Sequence, residues 1–275
     1  MDWKTIPKID SHVHVLPEES RQGFIKNLGA DCIWAKSELS SYLQEMERNN
    51  IRRAILQPTN DPYMYFPARK TNEYLAKILE EYPDRFLAFA DINLDGSYIL
   101  DKTPAELEYA IRELGLHGLK IHPSNLNMDA DDLRLVPLLR KAAELKIPVI
   151  YHGNPCMTGF HDNCAPDKIN KMIKVFPDIQ FITAHMGGVK YLDAWSGCTW
   201  VDISFVLPEF LKLYGLEQTR RILHMFGADR LIFGTDYPEG NYEEYFTLLD
   251  QMDFTNEEMK KIAYKNIESI LKISQ

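Results

Sequence analysis

Two histidines one residue apart close an apolar run near the start of the chain, Ile9-Asp10-Ser11-His12-Val13-His14. In an extended strand residues i and i+2 project from one face, so His12 and His14 point the same way, with Asp10 on that side too. Four later apolar segments end in similar chemistry: Leu119-Lys120-Ile121-His122, Val149-Ile150-Tyr151-His152, Ile182-Thr183-Ala184-His185 and Ile232-Phe233-Gly234-Thr235-Asp236. Imidazoles and a carboxylate brought together from such strand ends suit Zn²⁺ or a similar divalent ion. A metal-dependent enzyme is the leading expectation.

Positioning those groups requires strands whose ends lie side by side. Candidate strands fall at 6–15, 51–57, 85–92, 117–122, 147–152, 179–185, 199–204 and 230–236, mostly apolar as in buried parallel sheets. Helical patterning lies between them, over 38–49, 72–81, 133–145 and 208–225, and Thr103-Pro104 reads as a helix start. Eight strands in 275 residues give about 34 residues per repeat, close to a β-α unit. The spacings from His122 to His152 and from His152 to His185, 30 and 33 residues, agree. An α/β (β/α)8 TIM barrel is therefore expected, as a single domain over 1–275. An open doubly wound sheet would want a glycine-rich turn after its first strand, where this chain has His-Val-His-Val. Residues 16–37, which include Trp34, read as a long loop able to wall a pocket, and 255–273 as a terminal helix.

Composition narrows the partners. A net charge of −9 argues against a nucleic-acid surface, and no apolar run is long enough to cross a bilayer. The four cysteines form no C-x-x-C pair and are too sparse for a disulfide scaffold, which fits a reducing compartment. Met1-Asp2-Trp3-Lys4 runs into strand-like sequence without a secretory signal, so the cytoplasm is the expected location. A small molecule is the expected partner, with neither nucleic acid nor membrane.

With those residues in hand, the chain resembles the amidohydrolase superfamily, in the amidohydrolase-2 branch related to aminocarboxymuconate-semialdehyde decarboxylase. The matching stretches are Ile9–Val15, Gly118–Pro123, Pro148–Gly153, Phe176–Gly188, Phe226–Pro238 and Lys260–Leu271, in order along nearly the whole chain. The resemblance implies one divalent ion per chain, Zn²⁺ first and Mn²⁺ next. It implies ligands His12, His14, His152 and Asp236, with His185 as the neighbouring catalytic imidazole, and a homodimer. Some relatives with two metals bridge them with a carboxylated lysine from the fourth strand, for which Lys120 is the candidate. The branch usually uses one ion, so an ion pair or a substrate contact is the expectation for Lys120.

Secondary candidates follow. Asp10 could orient a ligand imidazole, although some relatives place a direct ligand there. His122 shares a strand face with Lys120 and could line the pocket. Tyr63, Tyr65 and Phe66 form an aromatic cluster that could line the pocket or pack in the core, while His161 and Cys164, in the loop after the fifth strand, could touch substrate but read first as surface residues. His117 and His224 receive no role.

Three functions compete. The first is hydrolysis of a small ester, lactone or amide by a metal-activated water, with Asp236 moving the proton and His185 stabilising the oxyanion. The second is non-oxidative decarboxylation of an aryl or muconate-like carboxylate, for which Arg69, Lys120 or Lys190 would supply a cationic partner. The third is a metal-free barrel that binds a metabolite or acts as a lactonase.

Overall fold

The computed structural model describes residues 2–60, 67–92, 103–153, 162–188 and 200–273. Its strands are β1 (Lys8–Val13), β2 (Ile51–Leu56), β3 (Phe86–Ala90), β4 (Gly118–Ile121), β5 (Val149–Tyr151), β6 (Phe181–Thr183), β7 (Trp200–Asp202) and β8 (Leu231–Ile232). The helices are α1 (Glu18–Leu28), α2 (Leu39–Arg48), α3 (Ala68–Glu81), α4 (Thr103–Arg112), α5 (Val136–Leu145), α6 (Pro166–Val175), α7 (Val206–Phe226), α8 (Tyr242–Leu249), α9 (Asn256–Lys260) and α10 (Asn266–Leu271). Every predicted strand is present, trimmed by one to five residues where backbone pairing stops short of the apolar run. No helix among the described residues is long and apolar enough to cross a membrane.

The chain divides into two compact units, residues 1–56 with 200–275, and residues 57–199. In the first, β1 pairs with β2 in parallel, Lys8 opposite Ile51 and Val13 opposite Leu56. The register shifts between Asp10 and Val13, around His12. Such irregularities bend a strand and re-aim its side chains. β7 pairs with β8 through Val201 opposite Leu231 and Asp202 opposite Ile232. The chain after β8 then zips along β1: Ser11 N–H donates to Phe233 O, Asp236 N–H to His12 O, and His14 N–H to Tyr237 O, at 3.0, 2.9 and 2.8 Å. First and last strands are thus neighbours, as a closed ring demands. Ile9, Val13, Ile232, Phe233 and Ile262 pack with little or no exposure around them, and burial of this kind stabilises by roughly 25 cal/mol per Å² of apolar surface.

In the second unit β3, β4, β5 and β6 run parallel in chain order. Leu119 lies opposite Val149, Ile121 opposite Tyr151, and Tyr151 opposite Thr183. Helix α5 buries Leu138, Leu139 and Ala142, a stripe at helical spacing. It ends where Lys146 turns left-handed at φ 56°.

Two expectations need correction. Residues 16–37 do not form a long loop: α1 occupies Glu18–Leu28 and a 3₁₀ turn occupies Ile33–Lys36. Only Ser20 and Phe24 of α1 are buried, so the apolar spacing that identifies a helix was too sparse to show. The terminal stretch is not one regular helix. It starts at a Thr255–Glu258 capping box, passes through a π-helical turn at Lys261–Lys265, and resumes as α10.

Candidate active site

In the first unit His12, His14 and Asp236 bring ligand atoms within 4.8 Å of one another, all three side chains buried. Asp236 Oδ1 lies 3.0 Å from His14 Nε2 and 3.4 Å from His12 Nε2. Donor atoms each about 2.1 Å from one ion, with bonds 90–110° apart, would stand about 3.0–3.4 Å from one another. The donor chemistry and the spacing both fit a divalent ion.

Asp202, at the end of β7, holds that arrangement. Its Oδ2 accepts from His12 Nδ1 at 2.9 Å, while Ser204 Oγ donates to its Oδ1 at 2.5 Å. With the proton of His12 held on Nδ1, Nε2 keeps its lone pair for an ion, the usual work of a carboxylate behind a ligand histidine. Asp202 and Ser204 were not singled out from the sequence. The signal existed, since Asp202 closes the seventh apolar run as the other polar groups close theirs.

Asp10 is engaged differently. Its Oδ1 accepts from His12 N–H at 3.2 Å and Thr235 N–H at 3.1 Å, and its Oδ2 from the Thr235 and Tyr242 hydroxyls, both at 2.6 Å. Burial pushes the carboxyl up to about 6 despite those donors. With four protein donors on its two oxygens, Asp10 ties β1 to the chain beyond β8.

The second unit gathers His122, His152 and His185. His152 Nδ1 and His185 Nε2 are 3.1 Å apart, so one ring donates and the other accepts. His122 stacks on His152 with ring centroids 3.6 Å apart and planes inclined by 14°. Asn125 N–H donates to His122 Nδ1 at 3.2 Å, and His122 N–H donates to Asn60 Oδ1 at 2.8 Å. Cys164 is fully buried rather than superficial, with its thiol 3.1 Å from Ser124 Oγ. Ligand atoms of His122, His152 and Cys164 also lie within 4.8 Å of one another. Near-parallel rings, however, cannot aim two in-plane lone pairs at one point between them. His122 therefore serves the orientation of His152 better than it serves an ion.

Backbone strain marks the same strand ends. Asn60, His185, Met186, Phe205 and Asp236 all have φ between 49° and 66°, just beyond β2, β6, β7 and β8. Left-handed non-glycine residues cost of order 1–3 kcal/mol each and concentrate at functional sites. After His152, a Cβ on Gly153 would stand 2.5 Å from Ala184 O, so only glycine permits that approach.

Lys120 is fully buried in β4. Arg69 is a surface residue bound to both carboxylate oxygens of Glu106, which argues against a role in a buried pocket. Tyr63, Tyr65, Phe66, His161 and Lys190 lie outside the described residues.

Comparison with known proteins now identifies the class. The amidohydrolase-2 family, described as Amidohydrolase, matches residues 9–273, and the chain belongs to it. A gamma-resorcylate decarboxylase from Polaromonas sp. JS666 is 22% identical over 76% of this chain and 77% of its own length. The crystal structure of 2,6-dihydroxybenzoate decarboxylase from Rhizobium superposes with a TM-score of 0.74 at 18% identity, covering 96% of this chain and 98% of that one. A dihydroxybenzoic acid decarboxylase from Polaromonas sp. JS666, solved with bound manganese and the inhibitor 2-nitroresorcinol, gives 0.73 at 18% identity over 96% of both chains. The fold is the (β/α)8 barrel, with β1 to β8 in chain order.

Proposed function

We propose that this protein is a metal-dependent, non-oxidative decarboxylase of a small organic carboxylate. The observation that carries the reading is the buried trio His12, His14 and Asp236, in which Asp236 Oδ1 stands 3.0 Å from His14 Nε2 and 3.4 Å from His12 Nε2, and all three donor atoms lie within 4.8 Å of one another beside Asp202. The named decarboxylases among its relatives favour this chemistry over the hydrolysis expected first. The ligand set implied by the family adds His152, with His185 as the neighbouring imidazole, and is part of the proposal. One divalent ion per chain is proposed, with Mn²⁺ favoured by the manganese-bound relative and Zn²⁺ the other candidate.

A bound ion would supply a Lewis acid for the substrate's oxygens. Asp236 would carry a proton to the carbon that bears the carboxylate. The bond from that carbon to the carboxylate then breaks, its electron pair stays with the carbon skeleton, and carbon dioxide leaves. His185 would hydrogen-bond a substrate oxygen, and the buried Lys120 would balance the carboxylate's charge.

The test supplies Mn²⁺- or Zn²⁺-loaded protein with a panel of hydroxybenzoates and, separately, with lactones. Release of carbon dioxide that stops after chelation is expected. Ring opening of lactones with no carbon dioxide from any carboxylate would return the protein to hydrolysis.

A further inference from the structure

We propose that Trp34 is a substrate-binding residue, an aromatic wall beside His14 that selects a carboxylate carried on a planar ring. The inference deepens the reading above and rests on His14 belonging to the reactive centre. Trp34 sits in the 3₁₀ turn Ile33–Lys36, and its ring meets that of His14 edge-on, with centroids 5.6 Å apart and planes at 68°. Phe24 of α1 stacks on it from behind at 5.2 Å and 23°. His14 and Phe24 are buried, whereas Trp34 keeps intermediate exposure.

Two further facts set this indole apart from a packing residue. Its N–H donates to no group among the described residues and, unlike the unpaired indole N–H of the fully buried Trp3, belongs to a residue with intermediate exposure. Its backbone is also clamped. Tyr237 hydroxyl donates to Lys36 O at 2.8 Å, Leu16 N–H to Ser37 O at 2.9 Å, and Arg21 to Ala35 O at 3.2 Å. Tyr237 directly follows Asp236, and Leu16 lies two residues past His14. The turn that carries Trp34 is therefore fastened to the segments that carry two of the proposed ligands. A rigid, half-open aromatic face with a spare N–H is pre-organised for a flat ring bearing oxygen.

The experiment measures binding of 2,6-dihydroxybenzoate and of fumarate to the metal-loaded wild type, Trp34→Ala and Trp34→Phe. Trp34→Ala is expected to weaken dihydroxybenzoate about tenfold while fumarate changes less than about twofold, the size expected for one lost stacking partner. Trp34→Phe, which keeps a ring, should stay within about threefold of wild type. Dihydroxybenzoate should also quench part of the wild-type tryptophan fluorescence, and that part should vanish in Trp34→Phe. Metal content and thermal melting of each variant separate lost selectivity from lost folding. The proposal is overturned if Trp34→Ala binds dihydroxybenzoate like wild type, loses both ligands equally, or if the wild type binds no dihydroxybenzoate. Trp34-dependent binding without carbon dioxide release would sink the reaction and leave this inference standing. Decarboxylation with unchanged binding in Trp34→Ala would do the reverse.

Discussion

Each compact unit gathers imidazoles at its strand ends, and the two treat them differently. In the first, His12 and His14 are answered by carboxylates, Asp202 behind one ring and Asp236 within 3.4 Å of both. In the second, imidazole answers imidazole, with His152 bonded to His185 and stacked on His122. Carboxylates fix a tautomer and offset positive charge, which prepares a ring to hold a cation. A histidine pair sharing a hydrogen bond leaves its proton free to sit on either ring, which suits orientation and proton exchange. The difference teaches that the groups behind the rings, rather than histidine content alone, distinguish the proposed ligands His12 and His14 from the imidazoles that surround the further proposed ligand His152.

The sharpest way to break this contrast is Asp202→Asn. The side chain keeps its size and its place in β7, but its amide can turn an N–H toward His12 Nδ1 and force the proton onto Nε2. We expect metal affinity to fall about 10–100-fold, the range for groups behind a ligand histidine. Competition with a chromophoric chelator reads this directly. An unchanged affinity would mean that Asp202 is only part of the core.

Much of this was legible beforehand, for a physical reason. Buried parallel strands are short, apolar and end where the chain meets solvent or chemistry, so His12, His14, His122, His152, His185 and Asp236 announced themselves as exceptions at run ends. Asp202 follows the same rule, but the expected strand 199–204 continues through Ile203, so Asp202 reads there as an interior residue. Helix α5, expected over 133–145 and found at Val136–Leu145, carries a readable stripe in Leu138, Leu139 and Ala142. Helix α1 does not, since one aromatic and one serine make a poor stripe. Trp34 against His14 and His122 against His152 could not be read at all. They join residues 20 and 30 positions apart through tertiary packing, and no periodicity encodes that.

A second contrast runs along β1, which leads into the proposed ligands His12 and His14 at its end and buries a lysine at its start. Lys8 Nζ donates to Trp3 O and Ile6 O, each at 2.7 Å, and lies 4.5 Å from the centre of the Phe246 ring. Burial nevertheless lowers its ammonium from 10.5 to about 8, with attraction from Asp2, Asp10 and Asp250 opposing the shift. Below pH 8 the lysine is protonated folded and unfolded, and the whole desolvation penalty is present. Between 8 and 10.5 the unfolded chain binds more protons, so this group makes unfolding harder as pH rises. From pH 8 to 10 the stability difference between wild type and Lys8→Met should shift by about 2 kcal/mol in favour of wild type. Urea titrations at each pH would show it, and a difference that stays constant would mean Lys8 is not desolvated as its burial implies.

The smallest expected effect is the most discriminating. If His122 acts by stacking on His152, a flat ring of similar size should replace it, and if it acts as a ligand, no hydrocarbon can. His122→Phe keeps the stack and gives up the 3.2 Å bond from Asn125 N–H, so metal affinity should change by less than about threefold. His122→Ala removes the ring that sets His152's plane and should cost more, about three- to tenfold, still short of the Asp202→Asn loss. Should His122→Phe weaken metal as severely as Asp202→Asn, the second cluster would be a ligand set in its own right. The contrast between carboxylate-backed and self-paired imidazoles would then fail.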